Sequence, residues 1–334
     1  MSWLIGGNTV ERLRGKEQAD AINAVRQTLL TALGGTAALI ALGFTVRTYY
    51  LSRRGQVTDR FGKAVAQLAS DKLEERLGGI HALEHVMAES PTDHSAVLGV
   101  LSSFVRARTI RPRNEKGKYI SEISTSDIEG VELPFDIDTA MTVIARRPVR
   151  YEPNRPDLRG VSLIRLSIRS YDFAKPPRLT AIFLTWADLR RADLRGAVLQ
   201  SSIVNFADLS RAWLSNADLR YAAFNNSVLR GAAMEGALLQ GASFRSADLR
   251  DVSGLTAAQL AEAIIDDKTK LSEDLANDPW VQARISDCLA WRSRLSREKL
   301  SRAWFPLPTP APAITEKELR TNGEKEHSDP LHES

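Results

Sequence analysis

The chain has 334 residues, of which 43% are hydrophobic and 26% are charged, with a formal net charge of +4. This composition is that of an ordinary globular protein, long enough for two or three domains. Its single cysteine, Cys288, excludes an internal disulfide and fits a cytoplasmic location of the folded part.

The first predicted element is a transmembrane helix over residues 27–46. These 20 residues contain no charged side chain, and Arg26 and Arg47 flank them. At 1.5 Å per residue they span roughly 30 Å, the thickness of a bilayer core. The N-terminal segment, residues 1–26, is long for a signal peptide and no A-x-A site directly follows the apolar run, which favours an anchor.

Basic residues are slightly more numerous after this segment than before it. This bias predicts a single-pass protein of the cell membrane whose C-terminal part lies in the cytoplasm. Small residues four apart, Gly34 with Ala38 and Ala37 with Ala41, would let two such helices approach closely, so a homodimer is an alternative. A lone anchor of low hydrophobicity is the preferred interpretation.

Residues 56–150 are predicted to form a small α-helical domain. Apolar residues recur there at three- and four-residue steps, as on the buried face of a helix. A capping box is predicted at Asp71–Glu74, and Pro91 is predicted to open another helix. A basic, irregular connection is predicted over 109–134. The four predicted helices are about 58–69, one from 73, one from 91, and about 137–146.

One motif in this domain permits an enzymatic alternative. His81, Glu84 and His85 match H-x-x-E-H, a zinc-peptidase pattern, and histidines four apart share a helix face. His94 is the only nearby histidine able to complete such a site. A five-residue match arises by chance, so we predict no metal, no cofactor and no catalytic residue, with a membrane-bound zinc-dependent hydrolase as the alternative.

The repeat domain is predicted over residues 157–252, and between 179 and 252 an apolar residue returns at every fifth position. Two positions before each stands a small or apolar residue, usually alanine. Neither the helical period of 3.6 nor the strand period of 2.0 produces this spacing. The fifth-position residues are Leu184, Leu189, Leu194, Leu199, Val204, Leu209, Leu214, Leu219, Phe224, Leu229, Met234, Leu239, Phe244 and Leu249.

A five-residue unit fits a chain that turns a corner once per unit, so that four units close a square coil. Coils then stack at roughly 4.8 Å with the fifth-position side chains inside. An earlier block, containing Leu158, Leu163 and Ile168, is one residue out of register. We expect the intervening Lys175-Pro176-Pro177 to form a loop or bulge.

The unit Ala187-Asp188-Leu189-Arg190-Arg191 and its copies resemble the pentapeptide-repeat family, whose unit is A-(D/N)-L-x-x. Upstream segments, including 56–61, 76–80 and 90–94, are similar to membrane-attached pentapeptide-repeat proteins of actinobacteria. The resemblance implies a mixed fold: a right-handed quadrilateral β-helix, plus the transmembrane helix and the helical domain. No catalytic residues are attributed to this family, so none are implied here.

The end of the chain is predicted to close the solenoid. Residues 255–304 are interpreted as capping helices, the first opened by a capping box from Thr256 to Gln259 and continuing through Ile264 and Ile265. A second helix is predicted at about 280–304. Residues 305–334 are rich in proline and then in charge, which is typical of a disordered tail.

The outer surface of the repeats decides between functions. Residues 157–251 carry 13 Lys/Arg and 9 Asp/Glu. This excess of positive charge argues against a topoisomerase-binding DNA mimic, a further alternative, and we expect no nucleic-acid partner. The predicted function is a membrane-anchored scaffold that binds an unknown protein and contacts lipid through residues 27–46, without catalysis. Its candidate interface consists of outward apolar residues: Val198, Ile203, Trp213, Val228 and Leu238.

Overall fold

The computed structural model describes residues 15–115, 117, 119–120, 127–169 and 175–294. Part of the predicted N-terminal segment (1–14), the end of the second predicted capping helix (295–304) and the predicted tail (305–334) lie outside these residues. The chain divides into two compact units, residues 1–62 and 63–334.

The first unit is described by one long helix. Helix α1 spans Lys16–Leu68, 53 residues, so the predicted transmembrane segment and the predicted helix 58–69 lie in one continuous element. Its stretch Ile22–Thr45, 24 residues, is long and apolar enough to cross a membrane by length and composition. This stretch begins five residues before the predicted segment 27–46.

Three helices form the bundle that opens the second unit. They are α2 (Leu73–Glu89), α3 (His94–Thr109) and α4 (Phe135–Arg146), with a 3-10 turn at Asp127–Gly130. Their apolar stripes face one another, as the periodicity predicts. The fully buried side chains of this core include Ile80, Leu83, Leu101, Ile137 and Ile144.

One predicted capping box and one predicted helix start are wrong. The capping box at Asp71–Glu74 does not form, because the N-cap of α2 is Lys72 and has no side-chain cap bond. The Lys72 N–H is instead bonded to Ser70 Oγ at 3.1 Å. Helix α3 begins at His94 rather than Pro91, since Ser90 Oγ donates to Asp93 Oδ2 at 2.6 Å and holds the intervening residues in a turn.

The repeat region winds into stacked coils joined by parallel bridges. Between positions 178 and 253 each bridge joins a residue to the one four repeat units later, for example Val198 to Asp218. The Asp208 N–H donates back to Ala187 O at 3.0 Å, and the Leu209 N–H donates forward to Val228 O at 2.7 Å. Each coil is therefore hydrogen-bonded to the coil before it and to the coil after it, and four five-residue units complete one coil.

The described residues contain no strand longer than a single bridging residue. The stacking and the parallel register of the predicted β-helix are present, whereas its strands are not, because the chain turns a corner every five residues. The corner residue of each unit has positive φ, as at Trp186 (64°), Phe206 (59°) and Gly231 (69°). The right hand of the coil remains a prediction.

The first coil is shifted as the sequence predicts. Asp157 pairs with Phe183, and Ser162 with Asp188, and each partner lies six positions beyond the one that the regular spacing would give. The additional residues lie within the segment that contains Lys175–Pro177. Leu158, Leu163 and Ile168 are fully buried, so the block contributes to the core despite the shift.

Both ends of the solenoid are covered. At the first coil, the Ser162 N–H donates to Thr109 O at the end of α3 (2.7 Å), and the Arg178 N–H donates to Ala145 O at the end of α4 (2.8 Å). These bonds satisfy backbone groups that would otherwise form an open edge.

At the last coil the predicted capping box forms. Thr256 Oγ1 accepts from the Gln259 N–H at the start of α5 (Ala257–Ala261). The predicted continuation of this helix is wrong, because Ile264 bridges to Ser243 and its carbonyl accepts from the Phe244 N–H at 2.8 Å. The backbone at Ile264 therefore pairs with the edge of the last coil instead of continuing the helix. Two further helices follow, α6 (Glu273–Ala276) and α7 (Pro279–Arg294).

Candidate interaction surface

The stacked coils arrange the outward bridging residues in four columns, one on each side of the solenoid. We name each column by one of its residues. The Phe183 column contains Asp157, Phe183, Ile203, Ala223, Ser243 and Ile264; the Asp188 column Ser162, Asp188, Asp208, Val228, Asp248 and Lys270; the Asp193 column Ser167, Asp193, Trp213, Ala233 and Ser253; and the Val198 column Arg178, Val198, Asp218 and Leu238.

The five residues of the predicted interface are distributed over all four columns. Val198 and Ile203 are half-buried, whereas Trp213, Val228 and Leu238 are exposed by 45%, 36% and 49%. Val198 and Leu238 share a column but have Asp218 between them. The structure therefore does not bring these residues together into one apolar patch.

The Phe183 column is uncharged from Phe183 to Ile264, whereas its residue in the first coil, Asp157, carries a charge. The five residues from Phe183 to Ile264 are half-buried or buried. At the adjacent corner, Trp186 and Phe206 are stacked with ring centroids 4.4 Å apart and ring planes 11° apart. Phe206 is 42% exposed. This side combines aliphatic and aromatic surface, which is typical of the centre of a protein interface.

Sequence reasoning from single positions misses this surface. Trp186 and Phe206 occupy corner positions, and Phe183 stands in a unit that has isoleucine in place of the alanine of the motif. Their alignment becomes readable only when the sequence is written in rows of four repeat units, because such rows place coil neighbours one above the other.

Five arginines of the repeat region are paired with aspartates two residues earlier. In each pair the Arg Nε and one terminal nitrogen donate to the two oxygens of the Asp carboxylate; in Asp218–Arg220 these distances are 2.9 and 2.7 Å. We call this arrangement an Asp–Arg fork. It recurs in Asp157–Arg159, Asp188–Arg190, Asp193–Arg195 and Asp248–Arg250.

The forks explain the alternation of charge in the repeat. The Arg250 hydrogen bond holds the pKa of Asp248 below its ordinary value, against the opposing effect of partial burial. The same carboxylate also accepts the backbone N–H of Arg250 at 3.3 Å. The charges of the arginines in the forks are therefore neutralised locally. The surface around Arg195 and Arg220 is accordingly a solvated surface of mixed charge.

Two residues of the zinc-site alternative lie close together, with His81 Nδ1 3.5 Å from Glu84 Oε2. Glu84 is paired with Arg146 at 2.9 Å, and His81 and His85 are exposed. His94 is 1% exposed, and its Nε2 lies 3.2 Å from Glu152. Within the described part of the chain, no group of three His, Cys, Asp or Glu residues is placed to hold a metal ion.

His94 and Glu152 belong to a structural cluster centred on Arg147. The Arg147 guanidinium is buried and donates to Glu152 Oε1 at 2.8 Å, to Thr180 O at 2.8 Å and to Arg178 O. Burial alone raises the pKa of Glu152, but the bonds and charge of Arg147 and His94 bring it below its ordinary value. The cluster ties the helical bundle to the first coil.

Comparison with known proteins identifies the repeat. The sequence model of the family described as pentapeptide repeats matches residues 184–216 and 214–251, with eight copies. The solved pentapeptide-repeat protein Rfr23 of Cyanothece 51142 is 27% identical, over 34% of this chain and 87% of that chain, with a TM-score of 0.29. The pentapeptide-repeat protein alr5209 of Nostoc PCC 7120 is 28% identical, over 39% and 83% of the two chains, with a TM-score of 0.27.

A curated relative is also matched over a shorter stretch. The large ribosomal subunit protein uL1 of Phytoplasma australiense is 32% identical over 77 residues. These residues make up 22% of this chain and 33% of the ribosomal protein, so the chain spans about a third of that relative's length.

Proposed function

We propose that this chain, whose residues 184–251 are pentapeptide repeats, is a membrane-anchored scaffold that binds another protein and performs no catalysis. The observation that carries the proposal is the uncharged stretch of the Phe183 column, from Phe183 to Ile264, with the Trp186–Phe206 stack at its edge. A flat, regular side of a solenoid offers an extended docking surface rather than a pocket for a small substrate. The expected partner presents an apolar, uncharged patch.

The anchor rests on the composition and hydrogen bonding of α1. Leu30, Leu39 and Phe44 are exposed by 69%, 70% and 64%, as side chains that contact lipid would be. The hydroxyl of Thr31 donates to Gln27 O at 2.8 Å and that of Thr45 to Ala41 O at 2.9 Å. Because these hydroxyls are satisfied within the helix, they cost little in an apolar environment.

Two alanines of the same coil provide a matched test of the docking surface. Ala223 lies in the Phe183 column and Ala233 in the Asp193 column; both are outward, half-buried bridging residues. Proximity labelling from the C-terminal domain in native membranes should identify proteins that Ala223→Arg loses by about tenfold, since a charge placed in an apolar contact costs more than about 1 kcal/mol. Ala233→Arg should retain them.

Equal labelling by both variants, with unchanged thermal unfolding, would remove the Phe183 column as the docking surface. If other copies of this chain were the only proteins labelled, the partner at the docking surface would be a second copy of the chain. In the same membranes, the chain should resist alkaline carbonate extraction, and a Leu33→Arg, Leu39→Arg double variant should become extractable. Protease added to the outside of intact cells should leave the solenoid uncut if it lies in the cytoplasm.

A further inference from the structure

A cleft lies where the segment after α3 crosses a corner of the first two coils. Its volume is about 390 Å³, within the range of sites that hold small ligands. Its described lining includes Arg106, Arg113, Arg159, Tyr119 and Trp186. It borders the first-coil end of the Phe183 column, with Trp186 common to both, and the inference drawn from it does not depend on the proposed scaffold function.

The cleft contains more positive than negative charge. Asp157 is the carboxylate that its arginines share: Arg106 donates to it at 2.8 Å, and Arg159 forms its fork with it at 2.7 and 2.9 Å. Arg113 instead donates to the neutral hydroxyl of Tyr119. Three guanidinium groups are therefore among the described lining residues, and one carboxylate, that of Asp157 beside the cleft, pairs with two of them.

Two further groups at the cleft, Arg106 Nε and the Arg111 guanidinium, have no negatively charged hydrogen-bond acceptor in the described part of the structure. Arg106 Nε is buried and has no hydrogen-bond partner in the described part of the structure. Arg111, beside the cleft, donates to the carbonyls of Ile120 (3.2 Å) and Trp186 (3.0 Å), which are neutral acceptors. Partial burial lowers the pKa of Arg111, which is the expected effect when a guanidinium is desolvated without full compensation.

The arginines are held in place before any ligand arrives. The Arg113 guanidinium lies 4.3 Å above the centre of the Tyr119 ring, a cation–π contact. The Tyr119 ring in turn packs against Gly160, where an added Cβ would lie 2.3 Å from the ring. On the far wall, the Trp186 ring is fixed by its stack on Phe206. A preorganised set of donors loses little entropy on binding.

We propose that this cleft binds a phosphate group, held chiefly by Arg113 with Arg106 and Arg159. A phosphate monoester carries close to two negative charges at neutral pH, which matches the surplus of two guanidinium charges. Its oxygens accept paired N–H bonds from arginine, a geometry that an ammonium group does not offer. The phosphate is that of a soluble compound or of a lipid headgroup, and both supply the same chemistry.

Inorganic phosphate titrated calorimetrically into the full chain in detergent tests the proposal. We expect saturable binding with a Kd of about 1 mM or tighter. Arg113→Gln should weaken it by about tenfold, because it removes a charge-assisted donor. The matched control is Arg211→Gln, an exposed corner arginine outside the cleft, which should bind as the unaltered chain does.

Absence of saturable binding, or equal Kd values for Arg113→Gln and the unaltered chain, would overturn the proposal. Arg113→Lys covers the case in which the glutamine variant unfolds, since it keeps the charge and removes the paired donors; it should bind more weakly than the unaltered chain. The source is assigned in nanodiscs of phosphatidylcholine with or without phosphatidic acid. Weakened binding of inorganic phosphate only when phosphatidic acid is present identifies a lipid headgroup, and unchanged binding identifies a soluble phosphate.

Discussion

The rings of Phe224 and Phe244 lie parallel inside the solenoid, with centroids 5.1 Å apart and an angle of 8° between their planes. The two residues are four repeat units apart and therefore occupy the same place in consecutive coils. Both are fully buried. Each ring fills the space that leucine or methionine occupies in other units, so the stacking of the coils depends directly on this pair.

Truncation of this stack should be costly. Phe224→Ala is expected to lower the free energy of unfolding by about 3–5 kcal/mol, because it removes buried apolar surface and leaves a cavity between coils that cannot collapse. The control is Phe206→Ala, at an exposed corner, which should cost less than half as much. Urea unfolding followed by circular dichroism measures both; equal effects would contradict the assignment of Phe224 to the interior.

Two adjacent arginines should differ sharply in their importance. Arg147 is buried against Glu152, whereas Arg146 forms a pair with Glu84 in which the arginine is 46% exposed. Arg147→Met should destabilise the chain by about 3–5 kcal/mol, since Glu152 and the carbonyl of Thr180 lose their donor. Arg146→Met should cost at most about 1 kcal/mol. Comparable losses in denaturant unfolding would argue against the buried cluster.

The same cluster should make stability depend on acid. The pKa of Glu152 in the folded chain is below its ordinary value of 4.5, so the folded state binds this proton less readily than the unfolded state. Its stabilisation is therefore complete above about pH 5 and is lost as the pH falls through the lowered pKa. In Glu152→Gln the fall in unfolding free energy between about pH 5 and pH 3 should be shallower than in the unaltered chain. Parallel pH profiles would show that Glu152 is not linked to folding.

Two corner glycines provide a test of close approach. Gly160 and Gly231 both have positive φ (72° and 69°), so alanine is strained at either position. An added Cβ at Gly160 would collide with the Tyr119 ring, whereas at Gly231 the nearest atom is Arg211 Cγ at 3.5 Å. Gly231→Ala should cost about 1 kcal/mol. Gly160→Ala should cost about 1–3 kcal/mol more and should also reduce Tyr119 order measured by NMR. Equal losses would mean that Tyr119 moves aside freely.

The inside of the solenoid can be predicted from the sequence, because the position of a residue within the five-residue unit determines whether its side chain points inward. Leu189 and Leu209 are buried as expected. The composition of its sides cannot be predicted one residue at a time. Val198, Ile203 and Trp213 share an apolar character, yet the coil sends them to three different columns. Which side a residue occupies depends on its position within a whole coil, not within one repeat unit.

The remaining differences arise where distant backbone takes precedence over local pattern. Ile264 continues an apolar helical spacing, but the open edge of the last coil offers its backbone a hydrogen-bond partner, and the helix ends at Ala261. His94 is near the H-x-x-E-H motif in sequence, yet its contact, Glu152, lies 58 residues further along the chain. Neither contact leaves a signal within the window that local periodicity covers.

Because four repeat units make one turn, the number of residues in the solenoid sets both its length and the side on which each residue lies. Excision of residues 203–222 would remove one whole turn and shorten the solenoid by roughly 4.8 Å. Phe183 would then bridge to Ala223 on the same side. Excision of 203–207 would rotate everything downstream by a quarter turn and place Asp208 beneath Phe183. Duplications and deletions are thus expected to be tolerated in multiples of a turn, whereas other lengths must be looped out.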